Sequence, residues 1–398
     1  MTKNILSGIK VLSIEQAAVL PYLTYRLAQD GIEIIRLENP EFGDPTRQAG
    51  NKVLDEERMN AYFFQWNAGK KAITLNLRTE KGREILKKLI KALNIDIFAT
   101  NQLPSNYQKL GIDYETLKKV KKDLIWLGVT GFGPESDERA YDPILEARSG
   151  LMEVTGERDG SPQVIGIPLS DLGTAEHGYG QIIKALFIRE KTGEGCRIDL
   201  SMFQSSVSWL TTAIIMTATF GKVISRRGNT HEFFAPASVY KTADGHVFMA
   251  MGTDRQWEDL VKIPGFESLD KEEYKKNAGR IADYRALNEK IEGLTKQHTT
   301  DELLRLFRQA GIPISKVSTI PEVINDPLVK DKLLYTEDPR SGLRVTLAPP
   351  PVDTPFLKSA GRKLNFPPRF GEHNREIYAQ VLGLGEAELE QLKAEGII

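Results

Sequence analysis

The stretch IKVLSIEQAAVLPYLTYRLAQDGIEIIRL, residues 9–37, decides the fold. IKVLSI (9–14) is a short β-rich run, residues 21–30 have helical periodicity stopped by Gly31, and IEIIRL (32–37) is a second apolar run. Continuous apolar strands separated by an amphipathic helix indicate parallel pairing, because strands covered on both faces lose the in–out alternation of a half-exposed sheet. The pattern repeats outward. AITLNL (72–77), IDIFAT (95–100) and LIWLGVT (124–130) read as further strands, with helices at 79–93 and 113–122 whose lysines form a solvated face. VIGIPL (164–169) reads as another strand feeding a long helix at 173–189, and CRIDLS (196–201) as one more before an apolar helix at 203–220. The expected architecture is α/β, with a parallel, doubly wound sheet.

After Gly221 the texture changes. Residues 222–236 (KVISRRGNTHEFFAP) are polar and irregular and read as a linker. SVYKTADGHVFMAM (238–251) is a hairpin about Asp244-Gly245, since Asp-Gly supplies the positive φ angles of a tight turn. Helical patterns at 254–262, 283–296 and 300–310 complete a smaller α+β unit, and the Pro-rich APPPVDTP (348–355) leads to a helical C-terminus. The expected division is a large domain at 1–220, a linker at 221–236, a small domain at 237–335, and a second linker with the C-terminal segment at 336–398.

Composition narrows the function. The 398 residues suffice for two domains of roughly 100–200 residues each. Lys plus Arg (53) nearly cancels Asp plus Glu (54), which argues against a nucleic-acid or membrane-surface partner. A single cysteine, Cys196, leaves no internal disulfide and fits a reducing cytosol. No signal-peptide h-region and no apolar run approaching the roughly 20 residues of a membrane span is present, so a cytoplasmic location is expected. The five histidines (177, 231, 246, 298 and 373) include no pair at metal-ligand spacing, and no metal is expected. The turn after the first strand, EQAAVLP, contains no glycine, so the dinucleotide fingerprint is absent and neither nicotinamide nor flavin is expected. GxxxxGK[ST], HExxH and GxSxG are absent as well.

The junction Ser170-Asp171, with glycines at 166, 173, 178 and 180 around it, carries the chemistry that remains. Where a strand of a parallel sheet hands over to a helix, backbone N–H groups and the positive helix end favour an ionised carboxylate. Such a carboxylate can attack an activated carbonyl and form an acyl intermediate. Asp171, or Ser170, can equally be an N-cap, and the two roles are not exclusive. His177, about one and two-thirds turns further on, is either a packed, hydrogen-bonded helix histidine or a base. Glycines inside a helix each cost about 1 kcal/mol relative to alanine, and the use expected for Gly178 and Gly180 is close approach of another backbone.

Five blocks, in order, make the chain recognisable: 6–47 with its Gly43-Asp44…Arg47 ending, NAGKKAITLNLRTEKG (67–82), YDPILEARSGL (141–151), IPLSDLGTAEHG with ALFIREKTGEG (167–195), and RRGNTHEFFAP (226–236). YKTADGHVFMAMG (240–252), GIPISKVSTIPEVINDP (311–327) and residues 370–398 continue the series. The sequence resembles the class III coenzyme A-transferases, the family of formyl-CoA transferase and carnitine CoA-transferase, which also contains α-methylacyl-CoA racemase. The resemblance implies a Rossmann-like large domain to which the C-terminus returns, a small domain between, and two chains interlocked as a homodimer or heteromer. It implies Asp171 as the nucleophile, forming an aspartyl mixed anhydride and then an aspartyl-CoA thioester, gripped by backbone amides. CoA or acyl-CoA is the substrate, with contacts implied at Ala18, Val19, Leu75 through Arg78, Asn101, Gln102, Lys109 and Tyr141. Arg78 and Lys109 can equally be surface charges. The sequence departs from the family at Asn39 and Leu103, where arginines are frequent, and MGTDRQ (251–256) is not a glycine-rich active-site loop.

Two other readings follow from the same resemblance. The racemase branch has histidine where Tyr141 stands, and tyrosine, with an ordinary pKa of about 10, is a poor base at neutral pH. A catalytically silent subunit of a heteromer is the other, against which the retained Asp171 weighs. The expected reaction is CoA transfer from a donor such as succinyl-CoA to a carboxylic or dicarboxylic acid, with benzylsuccinate, mesaconate and citramalate as candidates. Phe233, Phe234 and Trp257 are apolar enough to line an acyl pocket, although ordinary core packing is the simpler explanation for any one of them.

Overall fold

A computed structural model describes residues 6–398. The chain divides into two compact units, one formed by residues up to 151 with 164–214 and 328–398, the other by 152–163 and 215–327. The first unit is built on six parallel strands: β1 (Lys10–Ile14), β2 (Glu33–Glu38), β3 (Lys70–Thr74), β4 (Ile97–Thr100), β5 (Ile125–Thr130) and β6 (Arg197–Ser201). Their spatial order is β3-β2-β1-β4-β5-β6, so the winding reverses between β1 and β4. Leu12 of β1 faces Ile35 on one side and Phe98 on the other, and neither neighbour leaves room for water. Such a reversal opens a crevice at the carboxyl ends of the strands, where folds of this kind place ligands.

The helices that matter for the site are α1 (Val19–Ala28), α2 (Ala61–Phe64), α3 (Glu80–Ala92), α4 (Pro104–Leu110), α5 (Tyr114–Val120), α6 (Asp142–Ser149), α7 (Leu169–Thr192) and α8 (Met202–Ser208). Leu20, Leu23 and Leu27 of α1 join Ala175 and Ile182 of α7 in the core on one face of the sheet. Gly178 permits this packing: a Cβ there would lie 2.4 Å from Leu23 Cδ1 and 3.0 Å from Leu200 Cδ2. The close approach expected of this glycine is thus made by leucine side chains rather than by another backbone, and Gly180 borders open space. On the opposite face Leu86 and Leu89 of α3 meet Tyr378 and Leu392 of the C-terminal segment, and the Tyr378 hydroxyl donates to the Thr74 carbonyl at 2.6 Å.

One expected strand does not form. Residues 164–168 have no regular structure, and α7 begins at Leu169 rather than near Gly173. The reason lies in where the amides go. The Ile165 N–H donates to Glu146 Oε2 at 2.9 Å, the Leu169 N–H turns back to the Ile167 carbonyl at 2.7 Å, and Pro168 has none to offer. Meanwhile β5 is paired on both sides by β4 and β6, so no ladder position remains there for 164–169. Val164 and Ile167 are left exposed.

The second unit carries an antiparallel sheet in the order β7 (Ala237–Lys241), β8 (His246–Ala250), β9 (Ile314–Lys316). Its core gathers Tyr240, Val247, Trp257, Leu287 and Phe307. Trp257 is therefore a core side chain, whereas Phe233 and Phe234 are 40% and 42% exposed and sit against His231. Among the described residues no helix is long and apolar enough to cross a membrane.

Candidate active site

The turn leaving β1 is held in a strained form from two sides. Ala17 has φ +61°, a left-handed conformation that non-glycine residues rarely adopt. Its N–H faces Asp44 Oδ1 at 3.4 Å. The preceding residue is clamped by Asn101, which accepts from the Gln16 N–H at 3.2 Å and donates to the Gln16 carbonyl at 2.8 Å. Beside this turn lies a cavity of about 280 Å³ lined by Gln16, Asn39, Phe42, Leu75, Arg78 and Gln102, among others. It collects the carboxyl ends of β1, β2, β3 and β4. Arg78 lies over the exposed Phe42 ring, 5.3 Å from its centroid, so a planar apolar face and a guanidinium stand together at the rim. A larger cavity of about 560 Å³, lined by Thr74, Phe370, Asn374, Glu386, Lys393 and Ile398, shares none of these strand-end residues.

Beneath the turn, six charged side chains are buried and balanced. Lys70 Nζ meets Glu15 Oε1 at 2.7 Å, Arg36 meets Asp44 at 2.8 Å and Glu38 at 3.2 Å, and Arg47 grips both Glu38 oxygens at 2.8 and 2.7 Å. Burial alone would raise Glu38, but Arg36 and Arg47 pull it down to about 2. Burial takes Lys70 down to about 8 against the pull of Glu15. Three cations and three anions cancel, which is the arrangement that makes burying them tolerable. The Gly43-Asp44…Arg47 block is thus a scaffold for the Ala17 turn.

Asp171 sits in different surroundings. It is the third residue of α7, whose N-cap is Pro168 with no side-chain bond, so neither Asp171 nor Ser170 caps the helix. Ser170 Oγ instead accepts from Ser206 Oγ at 2.8 Å. The helix end is served from α6: the Asp171 N–H donates to Asp142 Oδ1 at 3.1 Å, the Ser170 amide also faces Asp142, and the Leu169 amide faces Glu146. Because those amides are engaged, they do not grip the Asp171 carboxyl, contrary to expectation. That half-buried carboxyl has neither hydrogen-bond donor nor cation among the described residues. Burial, with the Asp142 charge second, pushes it up to about 7. The helix end does not stabilise its anion; the surroundings resist it.

Aromatic side chains lie near the Asp171 end of α7. Tyr62 lies close enough for Asp171 and Asp142 to raise its phenol, after burial, and is edge-on to Trp66 at 5.5 Å. Asp44 acts on Tyr62 too, so the ring links the Asp171 end of α7 to the β1 turn. A Cβ on Gly173 would fall 2.9 Å from Trp209 Nε1, so glycine is what lets the indole lie along the helix. His177 is the packed, hydrogen-bonded histidine: its ring stacks on Trp209 at 4.9 Å and Nδ1 pairs with Ser205 Oγ at 2.8 Å.

The residues singled out from sequence scatter in role. Leu75, Arg78 and Gln102 line the strand-end cavity. Asn101 spends its amide on Gln16 and positions the turn. Ala18 and Val19 are buried in the core at the start of α1, and Lys109 is exposed on α4, outside the cavity lining. Tyr141 is 74% exposed and precedes Asp142 as the N-cap of α6. Sequence reasoning missed Asp142, Glu146, Tyr62, Trp209 and Phe42. The first two had a readable signal: like charges at i and i+4 repel on a free helix surface, so such a pair calls for a buried partner.

Comparison with known proteins supplies a context. The family described as CoA-transferase family III matches residues 6–374. The succinyl-CoA:glutarate CoA-transferase of Mus musculus is 31% identical, over 99% of this chain and 90% of that protein. The succinyl-CoA:mesaconate CoA-transferase of Haloarcula hispanica is 31% identical, over 94% of this chain and 95% of that protein. Among solved structures, a CAIB/BAIF family protein from Brucella suis superposes with a TM-score of 0.81 at 32% identity, covering 95% of this chain and 99% of that one.

Proposed function

Because the chain belongs to CoA-transferase family III, we propose that it moves coenzyme A from an acyl-CoA donor to a carboxylic or dicarboxylic acid through a covalent bond to Asp171. The donor we assign is succinyl-CoA and the acceptor a short dicarboxylate, in keeping with the names of its relatives. The observation that carries the reading is the unpaired Asp171 carboxyl, held near neutrality by burial and by Asp142. A carboxylate of raised basicity, still substantially ionised near pH 7, combines reactivity with availability.

The steps balance as follows. An Asp171 oxygen attacks the thioester carbon, the C–S bond breaks, and CoA leaves as thiolate with the acyl group held as a mixed anhydride. The thiolate attacks the aspartyl carbonyl carbon, releasing the donor acid as carboxylate and leaving an aspartyl-CoA thioester. The acceptor carboxylate attacks that thioester, expels the thiolate and forms a second anhydride. The thiolate then attacks the acceptor carbonyl, giving the new acyl-CoA and restoring the Asp171 carboxylate. No proton needs to move, so the site needs no base beside the aspartate. The strand-end cavity, with Phe42, Arg78 and Gln102, is assigned to the nucleotide end of CoA, Arg78 supplying positive charge for phosphate.

We also propose the interlocked dimer. None of the residues of the helix Thr211–Phe220 (TTAIIMTATF) is buried within this chain, and Phe187 and Ile188 of α7 are 64% and 54% exposed. A second chain is the natural cover for such surface. The functional test is a mass-spectrometric screen of acids with succinyl-CoA. Formation of a new dicarboxylyl-CoA that disappears in Asp171→Asn supports the reading, whereas α-proton exchange into an acyl-CoA without any acceptor would replace it.

A further inference from the structure

Below the Asp171 end of α7 lies a second carboxyl pair that the transfer steps do not use. Asp142 and Glu146 stand at i and i+4 on α6, a spacing that puts both on one face about 6 Å apart at Cβ. Both are buried, Asp142 6% and Glu146 0% exposed. The contacts around them are asymmetric. Asp142 Oδ1 accepts the Asp171 N–H, and Glu146 Oε2 accepts the Ile165 N–H at 2.9 Å. Glu146 Oε1 is fully buried and accepts no hydrogen bond among the described residues. An ionised carboxylate oxygen left bare in the interior is costly, and two adjacent ones with no cation would be more so. A single proton on Glu146 Oε1, donated to Asp142, removes both problems: the bare oxygen becomes a donor and the pair carries one charge rather than two.

We propose that Glu146 is a positioning residue for Asp171: it retains one buried proton, donates it to Asp142, and so keeps Asp142 a singly charged acceptor for the amides that open α7. With its other oxygen on the Ile165 amide, the same side chain fixes the segment leading into Pro168 and hence where Asp171 stands. The direction of titration agrees. Burial raises both carboxyls, and their mutual contact raises Glu146 further while offsetting part of the rise at Asp142. The titratable groups facing Asp171 are Asp142 on α6 and Tyr62 on α2, with Glu146 behind Asp142. The inference rests on Asp171 as the nucleophile.

Two substitutions separate proton from shape. In Glu146→Gln the amide oxygen still accepts from Ile165 and the NH2 donates permanently to Asp142, so the protonated arrangement is locked in. The expected result is kcat within about threefold of the unaltered enzyme and an unchanged acid limb of kcat/KM. Glu146→Leu fills similar space without either bond; kcat should fall tenfold or more while KM for the CoA thioester changes less than about threefold. Hydroxylamine capture at Asp171 in the unaltered enzyme is run first, because its absence overturns the nucleophile reading rather than this one. With capture established, a Gln variant as impaired as the Leu variant, or a Leu variant as active as the parent, overturns the proposal. If Glu146→Leu does not fold, the Gln variant decides alone, a tenfold loss counting against the shared proton.

Discussion

Two clusters of ionisable side chains lie close together in the first unit and are built on opposite plans. Under the β1 turn, Glu15, Glu38 and Asp44 are matched one for one by Arg36, Arg47 and Lys70, each pair within hydrogen-bonding distance. At the start of α7, Asp142, Glu146 and Asp171 gather three carboxyls with no cation beside them among the described residues. The first cluster has every charge compensated and holds backbone in place. The second leaves a carboxyl whose anion is resisted by its surroundings, which is what stability alone would remove and what nucleophilic chemistry requires.

The comparison can be broken at several points. The largest effect is expected at the uncompensated end: Asp171→Asn should reduce CoA transfer by on the order of a thousandfold or more, with the fold intact by circular dichroism. The same substitution should leave stability unharmed. Asp171 has a raised folded-state pKa, so its contribution is most favourable below about pH 4 and is lost as pH rises through about 7. Asp171→Asn should therefore gain melting temperature relative to the parent at pH 8 and not at pH 4. At the compensated end the sign reverses: Arg36→Met strands buried carboxylates and should cost about 3–5 kcal/mol by urea unfolding.

Smaller effects sharpen the contrast. In Asp142→Asn the amide oxygen still accepts from the Asp171 N–H, but the charge that raises Asp171 is gone. The acid limb of kcat/KM, expected near pH 7 in the parent, should move to lower pH. Arg78→Ala should raise KM for the CoA thioester about five- to tenfold and leave kcat unchanged, as expected for a phosphate contact at a partly exposed site, about 1–1.4 kcal/mol.

The sheet was legible because its inner strands β1, β2, β4 and β5 are buried on both faces and read as apolar runs, whereas β6 (Arg197–Ser201), at the edge, is largely exposed and less apolar. VIGIPL misled because an apolar run of that length says nothing about its hydrogen bonds, and here they go to Glu146 and a local turn. The start of a helix near Asp171 was legible, but the electrostatics of its carboxyl were not. Its upward shift comes first from burial and then from Asp142, 29 residues away in sequence and brought beneath it by α6, and neither is visible in the local sequence. Arg78 and Gln102 follow strand ends and were within reach of topology; Tyr62 and Trp209 arrive from elements with no sequence mark of their role.

The most direct measurement is capture of the covalent enzyme. Incubation with succinyl-CoA and hydroxylamine, then peptide mass spectrometry, should find the Asp171 side chain converted to its hydroxamate in step with loss of activity. Full inactivation with the Asp171 peptide unmodified, or with the label on another carboxyl, would contradict the account.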